Sequence, residues 1–138
     1  MALFKVFDIA GSAMSAQSLR LNTTASNLAN AETVASSPEQ AYRARQPVFA
    51  AMLKGLYGDE GASVGVKVAG ITESKAEPQE RYAPDHPLAD EKGYVYLSNV
   101  NPVDEMVNMI SAARSYQNSV EVLNTSKQLL LATLRLGQ

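Results

Sequence analysis

The sequence predicts a mainly α-helical chain with a small β-rich insert, and three observations lead there. Apolar residues recur at alternating spacings of three and four at both ends of the chain. Short runs with a period of two occupy the middle. Charge is concentrated in that middle and sparse at the ends. Together they divide the chain into an N-terminal helix within residues 1–35, a small β-rich domain with flexible loops over 36–101, and a C-terminal helix within 102–138. The two helices are expected to pair as a coiled-coil-like domain.

The N-terminal stripe reads Leu3, Phe7, Ala10, Met14, Gln17, Leu21, Thr24 and Leu28. Six of these eight are apolar, which is the pattern of a helix face and, over about four heptads, of a coiled-coil seam. Gly11, Ser12, Ala13, Ser15, Ala16, Ala25 and Ala29 surround it with small side chains that let a second helix approach. Asn30-Ala31-Glu32-Thr33, followed by Ser36-Ser37-Pro38, marks the stop.

The middle holds three strand candidates. Val64, Val66 and Val68 alternate with Gly65, Lys67 and Ala69. Tyr94-Val95-Tyr96-Leu97 follows the turn-like Asp90-Glu91-Lys92-Gly93. Tyr42 to Phe49 is the third, with Pro47 restricting it to an edge. Gly55, Gly58 and Gly61 predict a flexible stretch, and Pro78, Pro84 and Pro87 an extended loop over 77–88. So few large apolar residues make a marginal core, so this part is expected to lean on the helices or on neighbouring subunits.

The C-terminal stripe reads Met106, Met109, Ala113, Tyr116, Val120, Leu123, Lys127, Leu130 and Leu134, with Lys127 the one exception. Val107, Ile110, Leu129 and Leu131 widen it beyond a two-stranded seam, so this helix should meet more than one neighbour. Asn101 is a fitting N-cap, Pro102 suits the first helical position, and Asp104 and Glu105 favour the positive end of the helix dipole. Arg135 and Gly137 mark the far end. Such a helix is roughly 50 Å long at 1.5 Å per residue, longer than a compact domain of this size requires.

Composition narrows function. Residues 1–35 hold 4 charges and residues 102–138 hold 6, whereas the middle holds 16. Long solvated helices normally carry charged outer faces. These carry Ser, Thr, Asn, Gln and Ala, which suits burial on several sides by other protein. The net charge of −2 argues against a nucleic-acid surface. No polybasic run suggests a membrane anchor, and no apolar stretch approaches bilayer length. The N-terminus does not read as a cleaved secretory signal, with Lys5 and Asp8 interrupting its apolar residues. The absence of cysteine excludes disulfides and thiolate zinc sites.

No catalytic or cofactor constellation is present. His86 is the single histidine and sits in a proline-flanked turn, Asp85-His86-Pro87, a poor holder for a catalytic triad. The acidic pairs Asp59-Glu60 and Asp90-Glu91 lack the spacing of a calcium loop, and Asp104-Glu105 is explained by the helix start. The residues expected to carry function are therefore contact residues: Phe7, Met14, Leu21, Asn27, Leu28 and Asn30 at one end, and Met106, Met109, Ile110, Ala113, Tyr116, Val120, Leu123, Leu130 and Leu134 at the other. Asn22, Asn27, Asn30, Asn108 and Asn124 are candidates to satisfy buried polar groups between helices. A self-assembling subunit and a soluble helical adaptor or chaperone-like module that grips one partner both fit this pattern.

Two segments add a resemblance. Leu21-Asn22-Thr23-Thr24-Ala25-Ser26-Asn27-Leu28-Ala29-Asn30-Ala31-Glu32-Thr33 resembles the N-terminal signature of the axial rod and hook proteins of the bacterial flagellum. Gly93-Tyr94-Val95-Tyr96, and then Asn99-Val100-Asn101-Pro102-Val103-Asp104-Glu105-Met106-Val107-Asn108-Met109-Ile110, resemble the proximal-rod branch of that family. So do Tyr42 to Phe49 and Glu121-Val122-Leu123-Asn124. Two positions depart from the pattern. Asn118 is displaced by one residue, about 100° of helix, and Ser98 stands where proline is common. The resemblance implies a structural subunit exported without a cleaved signal through the flagellar type III apparatus. It implies a rod that spans the periplasm, transmits torque and surrounds the export channel, with its terminal helices paired and its middle outermost. The implied neighbours are copies of itself, other rod proteins, the adaptor FliE and the MS ring, with no cofactor, nucleic acid or membrane insertion.

Overall fold

The computed structural model describes residues 2–54 and 63–137. The glycine-marked stretch at Gly55, Gly58 and Gly61 lies outside the described residues, as do Asp59-Glu60 and the side chain of Leu3. Along the chain two long helices flank two small antiparallel sheets in the order α1 (Ala2–Ala29), β1 (Val34–Ala35), β2 (Arg45–Lys54), β3 (Ser63–Glu73), β4 (Gln79–Tyr82), β5 (Tyr94–Leu97) and α2 (Pro102–Leu136).

α2 starts as its sequence dictates. The Asn101 side chain accepts from the Val103 amide at 3.0 Å, Pro102 occupies the first helical position, and Asp104 and Glu105 fill the first turn. α1 ends where its signature turns polar, with Asn30 donating to the Ser26 carbonyl and Thr33 to the Asn30 carbonyl. Gly137 closes α2 at φ −93°, outside the left-handed region.

The helices run antiparallel. Asn27 meets Glu105, Arg20 meets Asn108, and Val6 and Ala10 lie beside Ser119 and Val122. This register puts the start of α1 opposite the region near residue 129. The last turns of the longer α2 therefore run past the start of α1.

β2 and β3 form a long two-stranded hairpin, with Phe49 opposite Val68, Pro47 opposite Ile71, and a bulge between Val48 and Phe49. Its strands pack against α1. Ser12 Oγ accepts from the Val66 amide at 3.1 Å, and Gly65 permits that approach, because a Cβ there would stand 3.2 Å from Ser12 Oγ and from Met52 Cε. The second sheet has the order β1-β5-β4, with the fully buried Val95 at its centre. The Asp90–Gly93 turn leads into β5, with the Gly93 amide donating to the Asp90 carbonyl and Gly93 at φ +81°.

The strand expected over Tyr42–Phe49 begins only at Arg45 and runs on to Lys54. Pro47 is tolerated because β2 has one partner and leaves its other edge open. The extended loop expected over 77–88 contains a strand, β4. Its residues Gln79-Glu80-Arg81-Tyr82 are all exposed and show no hydrophobic alternation, so no periodicity marked it. β1 is two residues long and was equally silent. Among the described residues the buried apolar side chains are small: Ala10, Ala16 and Ala112 on the helices, and Ala31, Ala41, Ala44, Val95 and Val100 between them in the chain.

Candidate assembly interface

On α2 the buried residues are Glu105, Ala112 and Ser126. With Ser119 between them they are spaced by seven, and Met109, Tyr116, Leu123 and Leu130 are half-buried on an adjoining line. The apolar stripe drawn from the sequence shares this second line. Its other line, Met106, Ala113, Val120 and Lys127, is offset by one residue from the line that is buried. The cause is chemical. The helices approach through a line of alanine and serine, with one carboxylate, and a hydrophobicity pattern gives such residues no weight. Lys127, the exception in that stripe, is exposed.

On α1, Val6, Ala13, Arg20 and Asn27 recur every seven residues on the side that meets α2, and Ala10, Gln17 and Thr24 follow the same interval, continued past the helix end by Ala31. Phe7, Met14, Leu21 and Leu28 are half-buried. Between the N-terminal half of α1 and the middle of α2, small side chains leave an apolar groove of about 280 Å³ lined by Val6, Ile9, Ala10, Ala13, Asn118, Ser119 and Val122. The displaced Asn118 thus borders this groove.

The asparagines separate into three kinds. Asn27 is 1% exposed and bonds to three segments of the chain. Asn108 accepts from the Arg20 guanidinium at 3.2 Å across the helix pair. Asn30 bonds within its own turn, and Asn22 and Asn124 are exposed. Sequence reasoning named neither Ser98 nor Asn99 as a joining residue. Ser98 is buried and donates to the Ala31 carbonyl at 2.6 Å, a bond that proline could not make. Asn99 accepts from the Ala44 amide at 2.7 Å and donates to the Ala76 carbonyl at 2.9 Å, tying both sheets' connections together.

Three of the remaining contact candidates face outward in the single chain. Met106 is 50%, Ile110 60% and Leu134 61% exposed. They have company: Val103 and Val107 flank the first two, Leu131 lies beside the third, and Leu129 and Leu136 are exposed on the other side of the helix. Ala113, Val120 and Met109 are half-buried. α2 thus carries an exposed apolar patch near its start and a set of exposed leucines around its end, with Arg114, Gln117, Asn118, Glu121 and the exposed Val122 between them. Large exposed apolar patches of this kind mark protein contact surfaces. Among the described residues no group of acids and histidines is placed to hold a metal, and no helix is long and apolar enough to cross a membrane.

The helix pair and the segments that close it define a class. Residues 7–34 match the family model for the flagella basal body rod protein, and residues 91–136 match that for the C-terminal region of flagellar basal body rod FlgEFG proteins. Along its whole length the chain is 56% identical to the flagellar basal-body rod protein FlgC of Escherichia coli O157:H7 and 54% identical to that of Salmonella typhimurium, and it covers all of each. A more distant relative of the same description, from Borreliella burgdorferi, is 36% identical over all of this chain and 99% of its own. The chain belongs to the FlgC family of flagellar basal-body rod proteins. It is a structural rod subunit and not an enzyme, and the helical adaptor or chaperone-like reading is not favoured.

Proposed function

We propose that α1 and α2 form a coiled-coil-like domain through which subunits polymerise into a tubular drive shaft, and that the middle, residues 36–101, forms its outer domain. The observation that carries this reading is the division of labour on α2. One face, Glu105-Ala112-Ser119-Ser126, is consumed within the chain, while Val103, Met106, Val107 and Ile110 at one end and Leu129, Leu131, Leu134 and Leu136 at the other are left to solvent. The two patches differ and lie at opposite ends of one long helix. Contacts between unlike patches are heterologous, and where their rotation does not close a ring they extend into a helical array.

A tube of such helices transmits torque along its length and leaves a central channel for exported chains. The weakly charged helix faces suit a surrounding of like helices, and the subunit reaches the rod through the flagellar type III export apparatus. The neighbours that fit are copies of this chain, other rod proteins, the adaptor FliE and the MS ring, in a rod spanning the periplasm. The test is Leu123→Asp, or Leu28→Asp, in a strain lacking the native chain. Each places a charge in a half-buried helix contact, and the expected outcome is loss of swimming and of rods in isolated basal bodies. Normal motility in either variant would sink the reading.

A further inference from the structure

α1 packs against α2 and against both strands of the β2–β3 hairpin, whereas among the described residues the hairpin and α2 do not pack against each other. They face one another across a cleft of about 350 Å³ lined by Arg20, Thr24, Arg45, Gln46, Phe49 and Glu105, among others. Two routes join α2 to the base of the hairpin: Asn99, two residues before the N-cap of α2, holds the Ala44 amide, and one side chain on α1 bonds in both directions. Asn27 Nδ2 donates to the Arg45 carbonyl at 2.8 Å and to Glu105 Oε2 at 3.2 Å. Its Oδ1 accepts from the Arg45 amide at 2.9 Å and from the Tyr42 hydroxyl at 3.0 Å.

That is the full capacity of a carboxamide, two donors and two lone pairs. The amide holds both backbone groups of Arg45 as a neighbouring strand would, and it does so at the first residue of β2. Its second N–H goes to the first turn of α2. Burial makes each of these bonds costly to leave unmade. No other residue type matches this pattern. Aspartate has no donor, serine has one donor and too short a reach, and glutamine moves the amide by a methylene.

We infer that Asn27 is a positioning residue that couples the docking of α2 to the seating of the hairpin. When Glu105 is in place, it fixes the Asn27 amide plane, and the fixed plane holds Arg45 and thereby the direction in which β2 leaves the helices. When α2 is undocked, the amide rotates freely and the hairpin base loses both backbone bonds together. The helix pair and the hairpin then order as one unit. This goes beyond the assembly reading and does not depend on it, because it concerns contacts within one chain.

The experiment is residue-resolved amide exchange on the full ¹⁵N-labelled chain, across a series from urea to an excluded osmolyte that moves the ordered fraction in both directions. In the wild type, protection of the Arg45 amide and of Ala112 and Ser119 in α2 is expected to rise and fall with one midpoint. Glu105→Ala, although Glu105 donates and accepts nothing from the hairpin, is expected to speed exchange at Arg45 by roughly tenfold or more, the factor lost with a hydrogen bond to a charged group, and to separate the two midpoints. Glu105→Gln keeps an acceptor and is expected to keep them together. Asp104→Ala, in the same helical turn but exposed, controls for the helix start and is expected to leave the Arg45 amide unchanged. Asn27→Ser removes the amide without touching α2 and is expected to separate the midpoints as well, which keeps the test open if Glu105→Ala loses α2 order throughout. Midpoints that differ in the wild type, that stay together in Glu105→Ala and Asn27→Ser, or that separate equally in Asp104→Ala overturn the inference.

Discussion

Gln17 shows what a polar residue costs when its neighbours do not answer it. Its Oε1 is buried with no hydrogen-bond partner, on the same seven-residue line as Ala10, Thr24 and Ala31. Asn27, a few turns along the same helix, has every polar atom paired. A buried acceptor left unsatisfied costs about 1–3 kcal/mol, and a leucine at position 17 has similar reach and no such need. Gln17→Leu is therefore expected to stabilise the chain by about 1 kcal/mol, seen as a rise of about 3 °C in the thermal midpoint. A fall in the midpoint would show that the amide is answered from elsewhere. The contrast also bears on what a sequence can reveal. Asn27 and Gln17 are both amides on an apolar-striped helix, and only the partners of their buried oxygens, Tyr42 and Arg45 in one case and none in the other, tell them apart.

Among the elements, those with local signals were legible and those held by distant partners were not. β5 runs over Tyr94–Leu97, where alternation and the preceding turn put it, and α2 runs from its proline to Leu136 because caps and dipole are local chemistry. β4 escaped notice because all four of its residues are exposed and its order comes from pairing with β5. On α2 one line of the apolar stripe, Met109-Tyr116-Leu123-Leu130, is half-buried, and the other, Met106-Ala113-Val120-Lys127, lies one residue from the line that is buried, because close approach selects small side chains.

The turn into β5 carries its own pH signature. Asp90 Oδ1 accepts from the Tyr94 amide at 2.8 Å and from the Lys92 amide at 2.9 Å, and Oδ2 accepts from the Tyr96 hydroxyl at 3.2 Å. The Tyr94 N–H above all, with the Lys92 N–H and the Tyr96 hydroxyl, holds the Asp90 carboxyl below its ordinary 3.8, outweighing a smaller opposing effect of desolvation. Desolvation first, and the bond to Asp90 second, pushes the Tyr96 phenol above its ordinary 10.0. The carboxylate's contribution is thus complete above pH 3.8 and lost as pH falls through the lower value reached in the fold. The phenol's is complete below pH 10.0 and lost as pH rises through its higher one. Protection of the Gly93 amide is expected to hold between these limits and to fall at both. Asp90→Asn keeps an acceptor without a charge to titrate, so the acid limb is expected to vanish in that variant, and its persistence would locate the acid sensitivity in another group.

For the whole molecule, the question is which apolar residues serve the fold and which serve the rod. The two kinds alternate on α2 within a single turn. Ala112 is fully buried, while Ile110, two residues earlier and about 200° around the helix, is 60% exposed. A charge introduced at each position therefore separates the two roles. Ala112→Asp buries an unpaired carboxylate between the helices, which costs several kcal/mol, and is expected to abolish helical order in the purified chain. Ile110→Asp removes an exposed side chain and is expected to change stability by no more than about 0.5 kcal/mol. If the outer patch is consumed in assembly, that same charge is desolvated against a neighbouring subunit, and the variant is expected to be secreted and folded yet to build no rod. Circular dichroism of the purified chain gives the first measurement, and swimming with microscopy of basal bodies gives the second. A motile Ile110→Asp strain would free the outer face of α2 from any role in the shaft. A folded but non-motile one would establish that an apolar residue the single chain leaves in water is completed by the next subunit.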